Sequence, residues 1–260
     1  MSIFKIILST AVLQMKHSFS RSMYKFCLIY QPVIYLFITY MMYRSSGSKN
    51  FASFVILGSG ITTLWSCICY SSAGDIDRER FMGTLEIIYG APVSFKVIVS
   101  GKILGNTLLG MLPLLATVSL SALFAKEEFL IQSPAYFAAA LLLTLLAFLS
   151  ISFVFAGFFT ISRRASVLMN CMSYPVFILC GFLIPADTLP KWLHPVSNIL
   201  SPTWAMRLLT MSIEGMPETA AFKEAGFYVI LTSTVYLVLS YILFYKMDRM
   251  VRIKATLGVS

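Results

Sequence analysis

The chain has 260 residues, of which 58% are hydrophobic and only 12% charged, and its formal net charge is +9. Soluble domains usually carry about 25% charged residues, so this composition excludes an ordinary soluble domain and reads as a polytopic membrane protein. The five cysteines, Cys27, Cys67, Cys69, Cys171 and Cys180, fall in apolar runs and form no Cys-x-x-Cys pair. They read as small packing residues rather than a disulfide framework. His17 and His194 are far apart without ligand-like neighbours, so no metal site and no cofactor site is expected in this chain.

Residues 1–23 mix Ile3, Phe4, Ile6, Ile7, Leu8, Val12, Leu13 and Met15 with Lys5, Lys16, His17 and Arg21. The pattern predicts a helix lying in the membrane interface, its basic groups toward lipid phosphates. A signal peptide is the competing reading, but its apolar core would be short and no small-x-small cleavage site follows. Six apolar runs come next, at about 24–43, 51–73, 97–124, 134–161, 166–183 and 224–245, with no charge in their interiors. About 20 apolar residues cross the hydrocarbon core as a helix. The spacing therefore predicts an all-α integral membrane protein with six transmembrane helices, forming a single domain over 1–260. Hydrophilic turns at 44–50 and 126–128 and the basic pair Arg163 and Arg164 separate some of the runs.

Between the second and third runs lies 74–94, the most densely charged stretch. Asp75 suits an N-cap, and Asp77 and Glu79 suit the positive end of a helix dipole. Phe81, Met82, Leu85, Ile88 and Tyr89 recur at helical spacing as one apolar stripe. Gly90 suits the left-handed residue after the last turn, and Pro92 stops the helix. The expectation is a short amphipathic helix on the membrane surface, its polar side of Glu79, Arg80, Gly83, Thr84 and Glu86 facing a partner. A solvated loop helix that only joins two spans is the bland alternative. Gly83 stands out in such a helix interior, because glycine there costs about 1 kcal/mol relative to alanine.

Orientation follows from Lys and Arg. With the N-terminus inside, fourteen of the twenty basic residues and five of the eleven acidic ones fall on the inner side. The whole basic excess then faces the cytoplasm, where anionic headgroups attract it, and needs no nucleic acid. Both termini and 74–94 are expected to be cytoplasmic. The segment from 184 to about 211 is apolar but carries Pro185, Pro190, Pro195 and Pro202. Prolines at that density exclude one continuous span. Two short helices that dip into the outer leaflet fit the segment, with Trp192 and Trp204 at headgroup level; an outer loop resting on the surface is the alternative.

No catalytic motif is visible. There is no Walker A phosphate loop. Gly58-Ser59-Gly60 lacks the preceding glycine of an intramembrane serine protease site, where Leu57 stands, and no later span offers a histidine base. Glu127-Glu128 lacks the downstream partners of a glutamate protease. Proton-driven pumps carry ionisable groups within their spans, and none is present here, which favours energy entering from outside the spans. Gly101-x-x-x-Gly105 permits close helix packing, and Pro113 suits a kink in the third run.

The run Asp77-Arg78-Glu79-Arg80-Phe81-Met82-Gly83-Thr84-Leu85-Glu86, followed by Ala91-Pro92-Val93-Ser94, resembles the first cytoplasmic loop of ABC-2-type permeases, the membrane subunits of type V ABC exporters. Pro32-Val33-Ile34-Tyr35-Leu36-Phe37 is similar to the first span of the daunorubicin and nodulation-factor export group. Gly181 to Pro185, Leu189 to Leu193 and Ser201-Pro202-Thr203 resemble the region before their last span. The resemblance implies an N-terminal interfacial helix, six spans, an extracellular re-entrant pair over 184–215, and a dimer of identical or paralogous permeases. It also implies separate ABC ATPase subunits, which bind ATP and Mg, so this chain is not itself an enzyme. The 74–94 segment would be the coupling helix, with Asp77, Arg78, Glu79, Arg80, Gly83, Thr84 and Glu86 meeting the ATPase. Members of the family move drugs, lipids, peptides or glycans, so the substrate does not carry over. An ion-coupled carrier or channel, or a scaffold recruiting a cytoplasmic protein through 74–94, remain the other readings.

Overall fold

The computed structural model describes residues 3–43, 51–124, 133–161, 165–214 and 219–254, and these are helical with no strand among them. The turns at 44–50 and 126–128, with Glu127-Glu128, and the pair Arg163 and Arg164 lie outside the described residues. The helices are α1 (Ile3–Ser20), α2 (Ser22–Tyr43), α3 (Phe51–Phe81), α4 (Thr84–Tyr89), α5 (Phe95–Phe124), α6 (Pro134–Ile161), α7 (Ala165–Leu179), α8 (His194–Ile199), α9 (Ser201–Glu214) and α10 (Thr219–Lys254).

The fold is built around α3. Every residue from 55 to 69 is buried, as expected of a helix with apolar side chains on all sides. Leu57, Ile61, Leu64 and Trp65 share one core with Leu114 of α5, Phe148 of α6, Phe177 of α7 and Leu208 of α9. Trp65 meets Phe148 and Phe155 edge-on, at 6.3 and 5.6 Å between ring centres, the arrangement that ring quadrupoles favour. The hydroxyls on this helix donate to carbonyls of its own preceding turn, Ser59 to Ile56, Thr62 to Gly58, Thr63 to Ser59 and Ser66 to Thr62. Each polar group is thus satisfied without a partner helix. Gly58 and Gly60 are packing positions: a Cβ on Gly58 would collide with the Phe182 carbonyl, and one on Gly60 with Leu114 and Thr117.

Three helical stretches, Phe95–Ser119, Pro134–Phe158 and Thr219–Lys246, are long and apolar enough to cross a membrane, and Tyr24–Ile38, Val55–Cys69 and Met169–Leu179 are shorter apolar stretches. The last of these belongs to α7, whose 15 residues reach only about 22 Å. α7 stops at Leu179, short of the expected 183, because Gly181 adopts φ 76°. The Phe182 amide then bonds back to the Phe177 carbonyl at 3.0 Å and the Gly181 amide to Ile178 at 3.2 Å, closing the helix and turning Phe182 into the core.

After this turn three of the four prolines fall where helices begin. A single 3-10 turn, Ala186–Thr188, follows Pro185. Pro195 opens α8 and Pro202 opens α9, positions where the missing N–H would have no helical partner. α9 packs Ala205, Leu208, Leu209 and Ile213 into the core. Trp204 stacks on Tyr228 of α10 at 4.4 Å and carries the Arg207 guanidinium on its ring at 4.8 Å, whereas Trp192 is exposed.

The 74–94 segment differs from the expectation. α3 runs unbroken through Phe81, so Asp75 is not an N-cap; it sits inside a long helix and is buried. No glycine or proline interrupts the chain between the apolar run and the charged one except Gly74, which a helix tolerates. The break comes at Met82 and Gly83. Gly83, at φ +70°, takes the left-handed conformation that was expected of Gly90. It is a corner residue rather than a helix-interior one, and its conformation accounts for glycine there. The apolar stripe is divided accordingly. Ile88 and Tyr89 of α4 pack against Phe95 and Val99, while Phe81 and Met82 are exposed at the corner.

Candidate functional site

The corner between α3 and α4 is held by a polar junction of α1, α3 and α5. Three residues of α1 and its end, Gln14, Ser18 and Arg21, share a face because they are spaced four and three apart. Arg21 Nη1 lies 2.5 Å from Asp75 Oδ1. Gln14 Nε2 donates to Asp75 Oδ2 at 2.6 Å, and Asn106 Nδ2 to the same oxygen at 3.3 Å. Ser18 Oγ donates to Asn106 Oδ1 at 2.7 Å. A carboxylate this deeply buried is tolerable because a guanidinium and two amides surround it. Arg21 therefore faces inward rather than toward lipid phosphates as the sequence suggested.

Two glycines make the junction possible. Gly101 and Gly105 of α5 face α1 directly, with Ile7, Thr10 and Ala11 against them. One turn closer to the corner, Lys102 Nζ bonds Glu79 Oε1. Lys96 lies over the Tyr241 ring at 5.1 Å, tying the start of α5 to α10. Tyr89 packs on Phe95 at 5.4 Å. The corner is thereby fixed from α1, α5 and α10 at once.

His17 sits on the outer side of the junction. Its Nδ1 is 2.9 Å from Arg21 Nη2. A guanidinium only donates, so Nδ1 accepts and the proton of the neutral ring is on Nε2. Partial burial, and then the Arg21 charge, hold the His17 pKa below its ordinary value.

The expected partner-facing residues are not equivalent. Arg78 and Gly83 are exposed; Glu79, Arg80 and Thr84 are half-buried. Glu79 is bound to Lys102, so it is not available as a free acid, and Thr84 Oγ1 closes the corner by donating to the Glu79 carbonyl at 3.3 Å. Asp77 lies in α3 and Glu86 in α4, with side chains outside the described part. Nothing lies within 4 Å of where a Gly83 Cβ would be. Phe81, at 85% exposure, is the most exposed large apolar side chain of the described residues.

The sequence reading missed Gln14, Ser18, Lys102 and Asn106. The available signal was the polar spacing on α1 and an amide, Asn106, one residue after the Gly101–Gly105 pair. Asn106 escaped notice because only charges were sought within the spans.

A family model described as ABC-2 type transporter matches residues 4–213. The chain belongs to that family. The match takes in the polar junction, the corner and α9, and it marks the chain as the membrane component of an ABC transporter, a class that works with an ABC ATPase. No individual curated relative matches the permease.

Proposed function

We propose that this chain is the permease subunit of an ATP-driven exporter, related to the daunorubicin and nodulation-factor export group. It forms half of a dimeric path for an amphiphilic substrate across a bacterial inner membrane. It performs no catalysis itself; ATP, with Mg, is hydrolysed on separate ATPase subunits. Six helices, α2, α3, α5, α6, α7 and α10, cross the bilayer, both termini are cytoplasmic, and the segment after α7 dips into the outer leaflet. The α3–α4 corner docks on the ATPase.

One observation carries the coupling reading. α3 is continuous from the exposed corner at Phe81 to the buried core at Leu57. A push at the corner has no hinge along α3 to absorb it, and the Arg21–Asp75 pair keeps the helix braced against α1 and α5. Phe81 and Met82 offer an apolar anchor with Arg78 beside them, a composition common at the centre of protein interfaces.

The test is co-purification with a Walker-A ATPase encoded beside this chain, followed by substrate-stimulated hydrolysis. Phe81→Asp and Arg78→Glu are expected to release the ATPase while the permease stays folded, since neither side chain is buried. Retention of the ATPase and full stimulation in both variants would sink the docking assignment and favour a carrier or scaffold.

A further inference from the structure

A recess of about 210 Å³ opens between α2, α3 and α7, lined among others by Gln31, Tyr35, Ser66, Asn170, Ser173 and Tyr174. None of its lining residues is charged. Its walls are amide, hydroxyl and phenol groups, with Met169 and Phe177 supplying apolar surface.

Gln31 holds an unmet need. Its Nε2 donates to Ser66 Oγ at 2.8 Å and to Tyr35 Oη at 3.1 Å. In this orientation of the amide, Ser66 donates to the Thr62 carbonyl and accepts from Gln31. Gln31 Oε1 is consequently buried with no hydrogen-bond partner among the described residues. An orphan acceptor is costly in a membrane-embedded position. The terminal amide torsion is soft, so a small swing presents the oxygen to a donor in the recess.

The helices beside the recess are also loosened. Pro32 follows Gln31 in α2, and Pro175 follows Tyr174 in α7. Each proline removes the bond to the carbonyl four residues earlier, so both walls can give without breaking further bonds.

We infer that this recess binds the ring-bearing, hydroxylated end of an uncharged amphiphile, which is the substrate class of the permease. The inference rests on the transport reading above. A ligand hydroxyl donates to Gln31 Oε1, Asn170 meets a second polar group, and the ring lies against Tyr174 and Phe177, whose own rings stand edge to face at 6.3 Å. A charged group is disfavoured because no lining residue would neutralise it away from water. Drug-sized pockets run to about 300–1,000 Å³. This smaller recess accommodates one ring and leaves the rest of the molecule outside.

Trp65 provides the readout, since its Nε1 lies 3.3 Å from Ser173 Oγ on the recess wall. With Trp192→Phe and Trp204→Phe in the full-length permease in lipid nanodiscs, no ATPase present, Trp65 fluorescence is titrated with three probes. These are para-nitrophenyl β-glucoside, para-nitrophenyl phosphate and para-nitrobenzyl trimethylammonium. Saturable quenching by the glucoside is expected, about tenfold tighter than by either charged probe, and weakened about tenfold in Gln31→Leu. Because Gln31→Leu also removes a bond between α2 and α3, Asn170→Leu, on the exposed rim, is measured beside it and is expected to weaken the glucoside as well. Equal quenching by all three probes, or unchanged binding in both variants, would overturn the inference. Selective glucoside binding in a permease whose corner variants leave ATP hydrolysis untouched would support the recess and overturn only the ATP-driven reading, in favour of a carrier or scaffold.

Discussion

Gly105 of α5 lies so close to Ala11 of α1 that a Cβ at this glycine would stand 2.5 Å from the Ala11 carbonyl oxygen. The contact is backbone against backbone, so no side-chain rotation can relieve a substitution. It sets the distance at which Gln14 and Ser18 reach Asn106 one residue further on.

Gly105→Leu is therefore expected to push α1 away from α5. Overpacking of this kind costs about 1–3 kcal/mol, and here the polar junction is lost with it. Thermal unfolding of the purified permease measures the loss. An unchanged melting temperature would show that α1 is not seated through these glycines.

Removing one member of the ion pair should be worse than removing both. Asp75→Asn leaves Arg21 beside a neutral amide, and breaking a buried pair in this way costs about 3 kcal/mol. Arg21→Gln with Asp75→Asn exchanges the pair for hydrogen-bonding amides and is expected to recover most of that loss. A double variant no more stable than Asp75→Asn alone would mean that the pair does not account for the stability of the junction.

Gly83 separates conformation from docking. Gly83→Asn keeps a residue that tolerates the left-handed region, whereas Gly83→Ala costs about 1 kcal/mol there. Nothing in the permease obstructs either side chain. Asparagine is expected to leave substrate-stimulated ATPase activity near normal, alanine to reduce it, and tryptophan to abolish it through bulk at the docking face. Normal activity with tryptophan would place the ATPase elsewhere.

Acid should loosen the junction through His17. Its pKa is lowered in the folded protein, so the unfolded chain binds the proton more readily, and stability falls as pH drops below the ordinary histidine value of about 6.5 toward the lowered folded value. Protonation also destroys the Nδ1 acceptor for Arg21. Comparing melting temperatures at pH 7.5 and about 5 in wild type and His17→Gln measures this term, which the variant is expected to remove. An identical acid sensitivity in both proteins would assign it to other groups.

Membrane orientation has a direct check. In a background lacking the native cysteines, Gly47→Cys is expected to react with an impermeant maleimide from outside the cell, and Arg164→Cys only after the membrane is opened. The reverse pattern would invert the topology.

The helical class was legible because long charge-free runs with few breakers leave a membrane chain little alternative to helix. The corner was misread for an identifiable reason. Asp75 has the local character of an N-cap, but capping rules assume that a charged side chain needs backbone N–H groups, and here Arg21, Gln14 and Asn106 supply its partners from distant sequence. Once Asp75 is neutralised, the helix has no reason to start there and simply continues from the core. Gly90 looked like the break and Gly83 like a helix-interior residue. The position of α4 against Phe95 and Val99 moves the break to Gly83, and that packing is tertiary. The recess left no trace in sequence, since Gln31, Ser66 and Ser173 are unremarkable residues until three helices bring them together.

The polar junction also imposes an order on biogenesis. α1 leaves the ribosome before α3 and α5, so the groups that seat it, Asp75 and Asn106, are made much later. At ordinary synthesis rates the delay is on the order of ten seconds. Throughout that interval Gln14, Ser18 and Arg21 lack the partners that seat them, and α1 acquires its native position only after α5 has been made.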